Sequence, residues 1–376
     1  MENYKEIYNR KTIGGVMLIE RILNQPNRKR KDLELLKSST IPNIIYGAGS
    51  YASDLYKFLL DNGIKLELTC VNKEYIIADQ KFFDLEVRSI DEIDALYHNY
   101  NLIIAYSDYK SAKVKAEKNT NVNKIIFIDS PNCIEFFDYK FVLDNLNILE
   151  DLYNKLGDEL SKDTLVAFIN AKLTGNPDDL SNLIQLPHYF NDILQYTKDD
   201  VFVDCGAYTG DTILGFSNKT GNGYRKIYAL EPDEDNYKVL LETVKQYDIH
   251  SVETIKKGCW SKKATLNFTS NGILSNINES VSNLSIEVDK LDNLVKEEKV
   301  TLIKMDIEGS ELEALKGTQN ILLTSKPNLA ICVYHKPEDL ITIPQFIQSL
   351  VPEYTFYLRH HQNVSWDTVL YAVIKE

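Results

Sequence analysis

The sequence lacks long apolar runs and has few cysteines. None of its 376 residues belongs to a run approaching the roughly 18 apolar residues of a membrane-spanning helix. The polar first residues, Met1 to Lys5, do not resemble a signal peptide. Five cysteines are scattered and odd in number, which predicts buried free thiols rather than disulfides or a metal site. These absences predict a cytoplasmic protein. The cysteines are Cys70, Cys133, Cys205, Cys259 and Cys332.

Basic residues are also in deficit, with 42 Lys and Arg against 55 Asp and Glu and a net charge of −13. Such a balance argues against an extended nucleic-acid surface, so we expect no nucleic-acid partner. The short basic run at residues 28–31 is interpreted as the solvated end of a helix within residues 1–40. The apolar content of 44% is ordinary for a globular protein, and the length predicts two domains.

Residues 41–129 alternate between strand, turn and helix patterns, which predicts a parallel βαβ sheet. The turn with Gly47, Gly49 and Ala52 has the form of the dinucleotide fingerprint. However, the second predicted strand ends in Val71-Asn-Lys, without an acidic residue for a ribose. A degenerate Rossmann-like domain that packs, dimerises or binds another nucleotide is therefore favoured over NAD binding. The predicted strands are 41–46, 65–71, 100–106 and 124–129, with a helix at 54–60.

A helical segment is predicted between two α/β regions. Apolar residues recur at helical spacing in 141–149 and 165–173, and residues 175–179 form a turn. The predicted organisation is a Rossmann-like domain at 1–139, a helical linker or cap at 140–198 and a second α/β domain at 199–376. Residues 186–190 lie just before the second sheet and could close over the cofactor, but a packed linker is the favoured interpretation.

The second sheet begins with a buried strand at 201–203 that runs into a glycine loop. Gly206 and Gly210 permit positive φ and close approach of a ligand to the backbone. The loop contains Asp204 and Asp211 but no Lys or Arg. This favours a cationic, hydroxyl-bearing ligand such as S-adenosylmethionine (SAM) over a pyrophosphate.

An acidic residue follows the next predicted strand, 227–230, at the expected distance. Glu231 lies about 20 residues beyond the glycine loop, where a carboxylate accepts both ribose hydroxyls of an adenosine ligand. The following strand, 252–256, leads to Cys259 and Trp260, which are placed to border the adenine, although Trp260 is equally compatible with a core position. Downstream, an edge strand is predicted at 264–268, a surface loop at 269–282 and a short helix reached through 288–294.

Two carboxylates follow the predicted strand 300–305. Asp306 and Glu308 are costly to desolvate together. Helix capping explains Glu308 or Ser310 but not Asp306 as well. Asp306 is therefore predicted at the reacting end of the cofactor, just before a helix that starts at Glu311.

Three histidines are expected in loops near Asp306. Tyr334, His335 and Lys336 follow the predicted strand 329–333. His360 and His361 are expected at the open end of a hairpin formed by 354–358 and 368–373. The predicted catalytic residues are Asp306, His335 and Glu308, and the predicted substrate-binding residues are Tyr334, Lys336, His360 and His361.

Four blocks of this half resemble the FkbM-type SAM-dependent methyltransferases. They lie at 203–211, 230–233, 288–292 and 303–311, and the resemblance covers roughly residues 199–376. It implies a class I methyltransferase sheet of seven strands and O-methylation, commonly of sugars or polyketide-type hydroxyls. Tyr208 departs from the family, which usually carries a small polar residue there, and alters the pocket wall. The implied cofactor-binding residues are Asp204, Gly206, Ala207, Tyr208, Gly210, Asp211, Thr212, Glu231, Cys259, Trp260 and Asp306.

The predicted function is transfer of a methyl group from SAM to a hydroxyl of a sugar or glycan precursor. His335 is expected to act as a neutral general base oriented by Asp306. In an alternative mechanism Asp306, with Glu308 or a loop histidine, holds a divalent ion. Two other classes stay open: an NAD(P)-dependent oxidoreductase using the N-terminal glycine turn, and a non-catalytic nucleotide-sugar-binding protein. The acceptor and the oligomeric state, including a homodimer, are left open.

Overall fold

The computed structural model describes residues 17–25, 27–77, 80–129, 137–268, 284–295 and 299–374. Over these ranges the chain is an α/β protein with two Rossmann-like sheets joined by helices. None of the helices in these ranges is long and apolar enough to span a membrane. The predictions made for the first 16 residues, for Cys133 and for the loop 269–282 lie outside the described residues.

The first sheet has the strand order β3-β4-β2-β1-β5-β6 in the described part of the chain. Its strands are parallel except for β3, which pairs antiparallel with β4. The central strands are short apolar runs with every residue buried, as expected for a sheet covered on both faces. The bounds are β1 Asn43–Tyr46, β2 Leu68–Val71, β3 Lys81–Phe82, β4 Leu85–Ser89, β5 Tyr100–Ile104 and β6 Val122–Phe127.

The second sheet has seven strands within the described ranges, in the order β15-β16-β14-β13-β7-β8-β9. The strands from β14 to β9 in this order are parallel, and the terminal hairpin β15–β16 is antiparallel. This confirms the seven-stranded sheet implied by the resemblance. The bounds are β7 Val201–Cys205, β8 Lys226–Leu230, β9 Val252–Ile255, β13 Leu302–Met305, β14 Asn328–Cys332, β15 Thr355–His360 and β16 Thr368–Val373.

A small third sheet was not anticipated from the sequence. It consists of β10 Gly258–Cys259, β11 Ala264–Phe268 and β12 Leu284–Asp289, in the order β10-β12-β11. The strand predicted at 264–268 therefore pairs with β12 and not with the main sheet. Residues 288–289, expected to lead into a helix, end β12, and the helix follows at Leu291–Leu294.

The helices surround the two sheets and fill the segment between them. In chain order they are α1 Leu18–Arg21, α2 Arg28–Lys37, α3 Ser50–Asp61, α4 Ile93–Leu96, α5 Tyr109–Ala116, α6 Tyr139–Asp144, α7 Leu146–Lys155, α8 Glu159–Thr174, α9 Asp178–Ser181, α10 Asp211–Thr220, α11 Glu234–Gln246, α12 Leu291–Leu294, α13 Glu311–Lys316, α14 Gln319–Ser325 and α15 Asp339–Leu350.

The helical segment shares its core with the second sheet. Buried residues of α7 and α8 belong to the same apolar cluster as β13 and β14, and Leu18 of α1 joins this cluster. The domain boundaries predicted from the sequence remain a proposal. The packing indicates that the helical segment stabilises the C-terminal sheet rather than serving as a free linker.

The loop between β15 and β16 reaches across to the N-terminal domain. Val364 is fully buried in the apolar core of the first sheet. The backbone N–H of Ser365 donates to Asp129 Oδ1 at 3.2 Å, and the Trp366 ring meets that of Tyr51 edge-on at 5.1 Å. These contacts hold the N-terminal domain against the carboxyl-end edge of the second sheet.

Candidate active site

A tight glycine loop follows β7. Gly206 and Gly210 have φ values of +81° and +89°, which L side chains rarely adopt. A Cβ atom on Gly206 would lie 2.1 Å from the carbonyl oxygen of Asp306, so the loop runs directly against the end of β13. Helix α10 begins after Gly210. The loop thus forms one wall of a cleft at the carboxyl ends of the strands, where ligands bind in open α/β sheets.

A buried ion pair lies beneath this loop. Lys304 Nζ lies 3.0 Å from Asp204 Oδ1 and donates to the carbonyl oxygen of Gly206 at 2.7 Å. Burial raises the pKa of Asp204 to about 6 even though Lys304 lowers it. Burial also acts to lower the pKa of Lys304, but the nearby carboxylates outweigh it and the pKa is raised. Asp204 is fully buried and does not line the cleft, so it acts on the loop through Lys304.

Glu231 lies in the cleft at the end of β8 and is fixed by backbone hydrogen bonds. Its Oε2 accepts from the N–H of Tyr208 and its Oε1 from the N–H of Asp233, both at 2.9 Å. Only 6% of the residue is exposed, and this burial raises the pKa of Glu231 to about 7. The carboxylate is therefore held in one orientation beside the glycine loop.

Asp306 follows β13, lines the same cleft and accepts two phenolic hydrogen bonds. Tyr189 donates to its Oδ2 at 2.8 Å and Tyr334 donates to its Oδ1 at 3.1 Å. Burial acts to raise the pKa of Asp306, but Lys304 and then His335 lower it to about 2. The carboxylate is therefore ionised over the whole physiological range.

His335 lies among three carboxylates. Its Nδ1 is 3.1 Å from Glu311 Oε1, and its Nε2 is 3.5 Å from both Asp306 Oδ1 and Glu308 Oε2. Burial by itself lowers the pKa of His335, but the carboxylate of Glu311, followed by those of the other two neighbours, raises it to about 10. In this arrangement the three carboxylates favour the protonated ring over the neutral general base expected from the sequence.

These groups share a cleft of about 780 Å³. Six acidic and two lysine side chains line it among the described residues, so its walls are predominantly anionic. The predicted site residues that line it are Gly206, Tyr208, Asp211, Thr212, Glu231, Cys259, Asp306, Glu308 and Tyr334.

Several predicted site residues lie outside the lining. His360 is fully buried at the end of β15 and bonds the Thr368 hydroxyl, and His361 bonds the carbonyl oxygen of Gln185 and the Tyr371 hydroxyl. Burial lowers the pKa of His360 to about 3 and that of His361 to about 4. These two histidines are core residues, because β15 extends further than the predicted strand. Also absent from the lining are Asp204, Ala207, Gly210, Trp260, His335 and Lys336.

The cleft contains residues that the sequence did not single out. Lys304 is the one polar residue of the apolar strand β13, so the sequence pattern did not single it out. Tyr189 belongs to the segment interpreted as a packed linker. Asp367 follows the hairpin loop, where burial raises its pKa to about 6. Ser50, the first residue of α3, also lines the cleft, so the N-terminal glycine turn faces the same space. The sequence pattern that pointed to the region of Ser50 was the alternation of strands and glycine turns in residues 41–129.

Comparison with known proteins agrees with this geometry. Residues 204–363 match the family model for the methyltransferase FkbM domain. Residues 204–363 are therefore similar to an FkbM methyltransferase domain. The matched FkbM region begins at the end of β7, includes the glycine loop, Glu231 and Asp306, and ends within the loop between β15 and β16.

Two known proteins are similar to this chain. Hexuronic acid methyltransferase AglP from Haloferax volcanii is 28% identical over 162 residues, which are 42% of this chain and 63% of AglP. The chain therefore spans less than two thirds of that relative. The crystal structure of an FkbM methyltransferase from Methylobacillus flagellatus KT has a TM-score of 0.73 at 23% identity, covering 93% of this chain and 94% of that one. That likeness is one of fold, and it extends over both sheets.

Proposed function

We propose that this protein transfers a methyl group from SAM to a hydroxyl group of a sugar-type acceptor. The observation that carries the proposal is the Glu231 carboxylate. It is oriented by two backbone N–H groups beside the glycine loop, in the same cleft as the ionised Asp306. The FkbM domain match supports the reaction class, and the name of AglP supports a sugar-type acceptor.

The lining of the cleft fits the proposed cofactor. Glu231 would accept the ribose hydroxyls, and the apolar side chains of Ile286 and Val288 with Cys259 would border the adenine. The excess of carboxylates favours a sulfonium cation over a pyrophosphate. When bound, SAM supplies an electrophilic methyl group on a good leaving group.

The acceptor would occupy the end of the cleft that contains Asp306. Tyr189 and Tyr334 hold the Asp306 carboxylate in place, and Glu308, Asp367 and Ser50 line the same cleft. Carboxylates accept hydrogen bonds from hydroxyl groups, so a polyhydroxylated molecule suits this end. Asp306 and Glu308 are proposed to orient the acceptor hydroxyl, which loses its proton as the new C–O bond forms, and positioning supplies most of the rate.

Cofactor binding can be tested without knowing the acceptor. We expect isothermal titration of the full-length protein to show binding of SAM and of its demethylated product, S-adenosylhomocysteine. The same titration with NADH tests the oxidoreductase alternative at the N-terminal glycine turn. NADH binding without SAM binding would overturn the proposed function.

Glu231→Ala should weaken SAM binding by about 10²-fold, because the charge-assisted hydrogen bonds to the ribose are lost. Glu234→Ala is the matched control. Glu234 lies three residues further on at the start of α11, its carboxylate pairs with Lys238 and Lys256, and it does not line the cleft. Equal affinities for the two variants would remove Glu231 from the cofactor site.

SAM affinity should fall as the pH decreases through 7. Burial raises the pKa of Glu231 to about 7, and ribose hydroxyls bind its ionised form. Protonation of the free protein therefore competes with binding, and we expect about a tenfold loss between about pH 7.5 and 5.5. Titrations of the wild type and of Glu231→Gln, which cannot ionise, should differ in this slope. The same slope in both proteins would assign the dependence to another group.

The acceptor class is tested by release of S-adenosylhomocysteine from SAM. The assay compares neutral, amino and uronic-acid methyl glycosides with a buffer blank. We expect release with a glycoside, since the acceptor end of the cleft is lined by hydroxyl-binding carboxylates. If methylation is found only on amine nitrogen, the proposed O-methylation is wrong.

A further inference from the structure

The cluster around His335 has more carboxylates than its cations can balance. Asp306, Glu308 and Glu311 each approach a His335 ring nitrogen within 3.5 Å. Lys304 lies nearby but is bound to Asp204 and to the glycine loop, and the side chain of Lys336 lies against Gly309. Buried negative charge of this kind is normally paired or coordinated to a metal ion. The cluster lies at the adjacent carboxyl ends of β13 and β14, next to the proposed acceptor end of the cleft.

Three buried atoms of the cluster have no hydrogen-bond partner among the described residues. They are Nδ1 and Nε2 of His335, whose side chain is 4% exposed, and Oε2 of the fully buried Glu311. An unsatisfied buried polar atom is costly, so each calls for an explanation. His335 Nε2 points between Asp306 Oδ1 and Glu308 Oε2, at 3.5 Å from each.

These separations are those of atoms that share one ion. Two ligand atoms at about 2.1 Å from a first-row divalent ion lie about 3–3.5 Å apart. A ring nitrogen of His335 and carboxylate oxygens of Asp306 and Glu311 also lie within 4.8 Å of one another. His335 and the carboxylates of Asp306 and Glu311 are therefore close enough to share a cation, and Glu308 approaches the same ring nitrogen, Nε2, as Asp306 does.

We propose that His335 Nε2, Asp306 and Glu308 bind a divalent cation of the Mn²⁺ or Mg²⁺ type. Glu311 then acts as a positioning residue. Its Oε1 lies 3.1 Å from Nδ1 of His335 and also accepts the N–H of Ile307 at 2.9 Å. A carboxylate on Nδ1 fixes the tautomer that leaves Nε2 free for a metal ion, which is a common arrangement around ligating histidines. The ion replaces the proton that Nε2 would otherwise carry.

The ligand types decide which ion is expected. Two carboxylates with one imidazole suit a hard ion that keeps water in its remaining positions, which points to Mn²⁺ or Mg²⁺. Asp306 and Glu308 line the cleft, so a remaining position faces the proposed acceptor. On the proposed function, the acceptor oxygen would bind this ion, which makes the hydroxyl more acidic and lets its proton pass to water as the new C–O bond forms and the S–C bond breaks.

Mn²⁺ alone is the probe for this site. Full-length protein is titrated with Mn²⁺, and free Mn²⁺ is followed by electron paramagnetic resonance in the presence and absence of S-adenosylhomocysteine. We expect one ion per chain with a dissociation constant of about 10⁻⁴ M or lower, and competition by Mg²⁺. His335→Ala should abolish this binding, and Glu311→Gln should weaken it about 10-fold or more.

Glu313→Gln is the matched control. Glu313 lies two residues from Glu311 on α13, but its carboxylate bonds Ser261 and Lys316 outside the cluster. Its Mn²⁺ binding should equal that of the wild type. Thermal unfolding provides a second readout: Mn²⁺ should raise the Tm of the wild type and of Glu313→Gln but not that of His335→Gln. This comparison holds if His335→Ala folds poorly.

Absence of Mn²⁺ binding at about 1 mM, tenfold above the expected constant, in protein that still binds S-adenosylhomocysteine would overturn the proposed metal site and leave the proposed function standing. Mn²⁺ binding that His335→Ala and His335→Gln both retain would also overturn it. Mn²⁺ binding without any binding of SAM or its product would support the metal site and overturn the proposed cofactor. The two proposals therefore fail in different measurements.

Discussion

Lys304→Met should lower the free energy of unfolding by about 3–5 kcal/mol, because it leaves a buried carboxylate without its counter-charge. Asp204 is fully buried and has Lys304 Nζ at 3.0 Å. The same ammonium group donates to the carbonyl oxygen of Gly206, so the substitution also removes a hydrogen bond to the glycine loop. Urea unfolding measures the first effect, and a fall in SAM affinity measures the second.

A double variant distinguishes the effect of an unpaired buried charge on stability from the effect of lost packing. Asp204→Asn combined with Lys304→Met removes both charges, and we expect it to be more stable than Lys304→Met alone, since no unpaired ion remains buried. Lys238→Met is the surface control, because its ion pair with Asp235 is exposed and should contribute less than about 1 kcal/mol. A double variant no more stable than the single one would show that Lys304 stabilises the protein by packing alone.

The strands and their acidic ends were readable from the sequence because each is a local signal. A short apolar run followed by an acidic residue identifies β8 with Glu231 and β13 with Asp306. The glycine loop is also a local signal, because backbone positions with positive φ favour glycine. The short strands β3 and β4 were missed because two to five residues with alternating burial give little periodicity.

The electrostatics of the site depend on contacts between distant parts of the chain. In the sequence, Lys304 is one polar residue within an apolar strand. Its ion-pair partner, Asp204, lies 100 residues earlier. The ionisation of His335 depends on Glu311, which appeared only as the start of a helix. Glu311 in fact reaches back to the N–H of Ile307 and across to the imidazole. A local pattern places such residues near one sheet edge but does not give their protonation states.

The two glycine turns look alike in sequence, and in each the first glycine lies against a neighbouring strand end: a Cβ atom on Gly47 would lie 2.5 Å from the carbonyl oxygen of Ala105. In the C-terminal turn Gly206 lies against the backbone of β13. In the N-terminal turn Gly49 has open space where a Cβ atom would be, and its φ of −89° suits any L residue. Because β2 ends without an acidic residue, the N-terminal turn lacks a carboxylate in the position where Glu231 is proposed to bind the ribose. The contrast supports assigning the adenosine ligand to the C-terminal turn.

Gly206→Ala should therefore destabilise the protein by about 3 kcal/mol or more, and Gly49→Ala by about 1 kcal/mol or less. The Gly206 Cβ would lie 2.1 Å from the Asp306 carbonyl oxygen at a φ of +81°, so either the loop or the end of β13 must move. That movement displaces Asp306 and the cofactor wall together, so SAM binding should be lost even under conditions where the variant remains folded. Urea unfolding and calorimetry on both variants test this difference. If Gly49→Ala lost SAM binding and Gly206→Ala kept it, the cofactor site would belong to the N-terminal turn.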